Sequence, residues 1–155
     1  MSATESFHPV YAHTNLVAND WRALARFYQD VFQCQPLPPE RDYHGEWITD
    51  ITGIEDVSLA GIHLRLPGHG EHGPTLEIFS YSRHEEAGTP AANRLGFAHI
   101  AFGVDDVQAA RAAVLAAGGS QLGKAHKMDV PGAGTITLIY MADPEGNIVE
   151  LQNWR

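Results

Sequence analysis

Apolar positions along the chain recur with two periods. Leu24, Phe27, Tyr28, Val31 and Phe32 follow the i, i+3, i+4, i+7, i+8 spacing, which predicts a helix with one buried face. Asp20 stands where a helix cap is needed. Val107, Ala110 and Val114 repeat the helical spacing, with Asp105 placed to cap and Gly118–Gly119 to stop the helix. Before this second helix the period changes to two. Ala98, Ile100, Phe102 and Val104 form one apolar strand face, and His99 points the other way with Phe97, Ala101 and Gly103. His13 likewise shares a face with Tyr11, Asn15 and Val17. "VSLAGIHLRLP" and "GPTLEIFSYS" predict a hairpin around the glycine-rich "GHGEHG". "GTITLIYMA" and "NIVELQN" flank "DPEG", whose Asp, Pro and Gly fit a type I turn. Between His44 and Ile54, Trp47, Ile51 and Ile54 have helical spacing and Gly53 is a stop, so a short helical insert is predicted.

The pattern is a repeat. "HTNLVANDWRALARFY" aligns without a gap on "HIAFGVDDVQAARAAV" at an offset of 86, placing His13 on His99 and Asp20 on Asp106. "GPTLEIFSY" matches "GNIVELQNW" at an offset of 73, placing Glu77 on Glu150. The insert near 44–54 is the source of the 13-residue difference. Each unit reads as strand, helix and three strands. Residues 1–90 form the first βαβββ module and 91–155 the second, with the boundary in Glu85–Arg94, and together they make one α+β domain.

Composition narrows the classes of function. A formal net charge of −9 disfavours a nucleic-acid partner, because such a surface repels phosphate. No apolar run approaches the roughly 18 residues of a membrane span, so no membrane partner is expected. "MSATESFHPV" has neither a basic stretch nor an apolar core, and Cys34 stands alone. A cytoplasmic location without an internal disulfide framework is the expectation.

The repeat singles out His13, Glu77, His99 and Glu150, each expected near the middle of its strand. A carboxylate buried alone is costly, and two facing each other repel. A divalent cation resolves both problems, and two imidazoles with two carboxylates leave it net neutral. Such a set suits one Zn, Ni, Co, Mn or Fe ion with positions open for substrate. The other histidines carry less. His69 and His72 fall in a surface loop, and His8, His63, His84 and His126 have no partner recognisable in the sequence.

"HTNLVAND", "LEIF", "HIAFGVDD" and "DPEGNIVEL" resemble the vicinal oxygen chelate superfamily, over Tyr11 to Trp154. That superfamily includes glyoxalase I, methylmalonyl-CoA epimerase, fosfomycin resistance proteins, extradiol dioxygenases and bleomycin-binding proteins. The resemblance implies a half-open, eight-stranded, barrel-like sheet around a metal held by His13, Glu77, His99 and Glu150. It implies a homodimer, and a small-molecule substrate that offers two neighbouring oxygens. The ligand set is similar to that of glyoxalase I. Where glutathione-using members carry Arg and Asn, however, this chain has Val17 and Tyr81, so the contacts for glutathione are not evident.

The activity so implied is an isomerase, epimerase or lyase that moves a proton next to a metal-bound carbonyl. Glu150 is the expected base and Glu77 the second choice, with Glu46 and His44 as outside candidates; Tyr81 and Tyr140 are candidate pocket residues, alongside Arg83 and Met128. An Fe(II) extradiol-type dioxygenase is the alternative enzyme. A binding or resistance protein without chemistry is the alternative outside catalysis, which an intact ligand set disfavours.

Overall fold

The computed structural model describes residues 8–155. The N-terminal stretch read for a leader begins in residues 1–7, which lie outside the described residues. No described helix is long and apolar enough to cross a membrane.

Nine strands and three helices are present among the described residues, in two sheets that do not close into a barrel. The first sheet has the order β1 (His13–Val17), β4 (Thr75–Tyr81), β3 (Leu59–Arg65), β2 (Gln35–Tyr43). The second has the order β5 (His99–Gly103), β9 (Ile148–Trp154), β8 (Gly134–Ala142), β6 (Ser120–Gln121), and β7 (His126–Val130) also pairs with β8. In each sheet the first strand pairs parallel with the last, β1 with β4 and β5 with β9. The repeat is therefore one of topology as well as sequence. The count exceeds the expected eight because two short strands, β6 and β7, share β8.

Helix α1 (Trp21–Phe32) begins as expected, with the Asp20 side chain accepting from the Ala23 amide. Helix α3 (Val107–Ala116) is capped by Asp106, not Asp105, and Asp106 accepts from the Gln108 and Ala109 amides. The repeat alignment had already set Asp106 on Asp20. The insert forms α2 (Glu46–Thr52), which ends at Gly53 in a left-handed conformation. It buries Ile48, while Trp47, Ile51 and Ile54, whose spacing predicted the helix, stay exposed.

Leu24, Phe27, Tyr28 and Phe32 of α1 pack on Leu64, Leu76 and Ile78 of the first sheet. The same core takes in Val107 and Val114 of α3 with Ile139, Met141, Val149 and Leu151 of the second. Burying each such Leu or Ile contributes about 1.5–3 kcal/mol. Phe32 stacks on Phe102 of β5 with ring centroids 4.1 Å apart, which joins the two repeats across this core. The opposite sheet faces are left for His13, Glu77, His99 and Glu150. A smaller cluster of Ile48, Val57, Leu59 and Phe79 lies under α2, at one end of the β3–β4 face that carries His63 and Glu77. Gly61 is required there: a Cβ on it would stand 2.0 Å from the Ile78 carbonyl oxygen and 2.1 Å from the Phe79 ring.

Candidate metal centre

Strand register builds the site. Glu77 lies in the ladder between Asn15 on β1 and His63 on β3. All three side chains therefore rise from the same sheet face. Asn15 Nδ2 donates to Glu77 Oε1 at 2.9 Å. His63 Nε2 lies 2.6 Å from Glu77 Oε2, and His63 Nδ1 lies 2.8 Å from the Thr75 hydroxyl. His13 Nε2 approaches Glu77 Oε1 to 3.6 Å. The His13 and His63 rings meet edge-on with centroids 5.5 Å apart. Burial, the largest influence on His63, pushes its imidazole below its ordinary pKa against the pull of Glu77. The neutral ring is thus favoured.

The second repeat holds the matching pair. His99 Nε2 lies 2.9 Å from Glu150 Oε2. Glu150 lies in its ladder between Ala101 on β5 and Tyr140 on β8. Neither of these side chains donates to it among the described hydrogen bonds. The Tyr140 ring instead lies against His99, with centroids 4.9 Å apart.

Several sequence expectations can be placed on this geometry. His13 and His99 are the first residues of their strands rather than central ones, whereas Glu77 and Glu150 stand within theirs. The four residues come together as two His–Glu pairs. Among the described residues, the set of three or more donors close enough to share an ion is His13, His63 and Glu77, whose ligand atoms lie within 4.8 Å of one another. His63 does have partners, contrary to expectation. It was missed because its place in the second repeat is held by Tyr140, so the repeat gave no signal for it. The ladder does give one: His63 and Glu77 are equidistant from Gly70 in the "GHGEHG" loop, so a hairpin centred on Gly70 sets them opposite each other. His84 also has a neighbour, Glu86, at 3.5 Å. Tyr81 packs beside the cluster under α2, while His44 and Glu46 line a separate recess with Asp56 and Ser58.

An open cavity of about 850 Å³ lies between β1 and β5, the strands that begin at His13 and His99. Tyr11, His13, Asn15, Arg94, Phe97 and His99 contribute to its walls. Tyr11 and Phe97 hold repeat-equivalent places, each two residues before its histidine.

The donor set fits a divalent cation. The Glu77 and Glu150 side chains are only 14% and 11% exposed, and their ionic partners among the described residues are imidazoles, with no Lys or Arg. Two buried carboxylates without a fixed cation favour a bound positive charge.

Comparison with known proteins agrees with this architecture. The family profile of the glyoxalase-like domain matches residues 13–151. A probable lactoylglutathione lyase of Vibrio parahaemolyticus is 28% identical over 141 residues, covering 90% of this chain and 86% of that protein. A lactoylglutathione lyase of Haemophilus influenzae is also 28% identical over 141 residues, covering 89% and 87%. Among solved structures, a glyoxalase family protein from Bacillus cereus superposes with a TM-score of 0.79 at 15% identity, covering 99% of both chains. A genomically encoded fosfomycin resistance protein from Listeria monocytogenes gives 0.60 at 15% identity, covering 97% of this chain and 96% of that one. With its paired βαβββ repeats and a His–Glu pair in each, the chain belongs to the glyoxalase-like domain family of the vicinal oxygen chelate superfamily.

Proposed function

We propose that the protein is a divalent-metal-dependent isomerase, epimerase or lyase that moves a proton on the carbon next to a substrate carbonyl. The observation that carries this reading is the pair of His–Glu contacts at matched places in the two repeats, each carboxylate nearly buried and facing imidazole. His13, Glu77, His99 and Glu150 would hold one Zn, Ni, Co, Mn or Fe ion. When bound, the cation supplies Lewis-acid polarisation of the carbonyl.

The residues of the chain do the rest. Glu150 is the proton-transfer base, because His99 is its only described side-chain partner and its carboxylate is free to turn. Glu77 is held by both Asn15 and His63 and stays a ligand. Tyr140, lying on His99, forms a wall for a small substrate with two neighbouring oxygens. The curated relatives are named for lactoylglutathione, but Val17 and Tyr81 offer no charged or amide group where glutathione-using members have Arg and Asn, and Tyr81 packs in an apolar cluster. This favours a substrate other than a glutathione adduct.

The test is solvent deuterium incorporation into candidate 2-oxo and acyl-thioester compounds by the metal-loaded protein. Exchange at the carbon next to the carbonyl is expected. Oxygen uptake with Fe(II), without exchange, would instead favour the dioxygenase reading. One observation speaks for that alternative: His13, His63 and Glu77 are the two-histidine, one-carboxylate type of donor set found in Fe(II) oxygenases.

The reading includes a homodimer. Among the described residues β1 pairs only with β4, and β5 only with β9, so each leaves one edge unpaired there. Val10, Tyr11, Leu95 and Phe97, in the segments leading into those edges, are exposed. Light scattering is expected to give twice the chain mass of 16.9 kDa. A monomer mass at micromolar concentration contradicts this.

A further inference from the structure

Resting on the metal-centre reading above, we propose that His63 is a positioning residue, which fixes Glu77 as a one-oxygen donor through a Thr75–His63–Glu77 hydrogen-bond chain that the second repeat lacks. A neutral imidazole has one N–H and one acceptor nitrogen. With the Thr75 hydroxyl donating to Nδ1 at 2.8 Å, the proton stands on Nε2 and is donated to Glu77 Oε2 at 2.6 Å. That bond takes one lone pair of Oε2 and holds that oxygen toward His63. The other oxygen, Oε1, takes the Asn15 amide on one lone pair and faces His13 Nε2 at 3.6 Å with the other.

The two distances assign different roles to the two histidines. Donor atoms about 2.0–2.1 Å from one shared ion stand roughly 2.9–3.4 Å apart, from octahedral to tetrahedral geometry. The 3.6 Å gap between Oε1 and His13 leaves room for an ion, and the 2.6 Å gap between Oε2 and His63 does not. His63 therefore sets the angle of the carboxylate and donates nothing to the metal. In the second repeat, Tyr140 and Ala101 occupy the ladder places of His63 and Asn15, so Glu150 has no such restraint. One carboxylate is clamped and the other is left free.

The experiment is titration of the full-length apo chain with Co²⁺ alone, followed by its absorption bands, for wild type, His63→Ala, His63→Gln and Thr75→Val. His13→Ala and Glu77→Ala serve as references. His63→Ala is expected to weaken Co²⁺ binding about 10–100-fold, the usual cost of removing a group that orients a ligand. His63→Gln keeps an N–H at similar reach and is expected to stay within about 3-fold, with unshifted bands, because no ligand is lost. Thr75→Val is expected to weaken binding about 5-fold by freeing the ring. Wild-type affinity in His63→Ala overturns the proposal. So does a His63→Gln protein as weak as His63→Ala with shifted bands, which makes His63 a ligand. If circular dichroism shows that His63→Ala does not fold, unchanged affinity in Thr75→Val overturns it instead. Wild-type binding by both His13→Ala and Glu77→Ala is a separate result, which removes the metal centre itself.

Discussion

Replacing Glu150 by Gln is expected to lower solvent-deuterium exchange by about 10²–10⁴-fold, the usual contribution of a positioned proton acceptor. Gln keeps the size of the side chain and an oxygen for the ion, but it cannot take up a proton at neutral pH. Glu150 is nearly buried, so solvent does not substitute for it easily. The contrast with Glu77 sharpens the test. Glu77 faces His13 and Glu150 faces His99, but only Glu77 is also bound by Asn15 and His63. Glu77→Gln is expected to act mainly through weakened metal binding. If Glu77→Gln abolishes exchange with its metal retained, while Glu150→Gln exchanges normally, the two roles are reversed.

Asp143→Ala is expected to destabilise the fold by about 2–4 kcal/mol, since it leaves buried donors unpaired. Asp143 is 3% exposed and accepts from the Tyr28 hydroxyl at 2.7 Å, the Glu145 amide, and both the backbone and side chain of Asn147. Burial pushes its carboxyl above the ordinary range, against the opposing pull of those hydrogen bonds. The bond to Tyr28 crosses from the "DPEG" turn of the second repeat to α1 of the first. Glu145 adds a second crossing by accepting from Asn19 Nδ2 and the Asp20 amide. Tyr28 itself is fully buried, so losing Asp143 strands its hydroxyl. Urea unfolding measures the effect, and adding Tyr28→Phe to Asp143→Ala is expected to recover part of the loss. A change below about 0.5 kcal/mol for Asp143→Ala would show that this crossing contributes little.

Much of the architecture was legible because it is written twice. One strand with a histidine is ambiguous, but His13 and His99 at one offset and Glu77 and Glu150 at another are not. Helix α1 was equally plain, since its five apolar positions form one stripe. Strand β2 was not marked out as an element: it carries Pro36, Pro38 and Pro39, which suppress a strand reading, yet as the edge of its sheet it tolerates missing amides. The spacing of Trp47, Ile51 and Ile54 gave the α2 helix but not its buried face, because periodicity shows that a stripe exists but not which neighbours cover it; Ile48 is the residue that meets Val57, Leu59 and Phe79. His63 stayed hidden for the opposite reason to the four repeat-related residues. It belongs to one repeat only, and its signal lies in hairpin register, not in chain offset.

The central claim is that one divalent ion is held by both repeats together. Elemental analysis of the protein after gentle purification, beside His99→Ala and Glu150→Ala, tests it most directly. Stoichiometric metal in wild type and its loss from both variants is the expected result. Unchanged stoichiometric metal in both variants contradicts the claim.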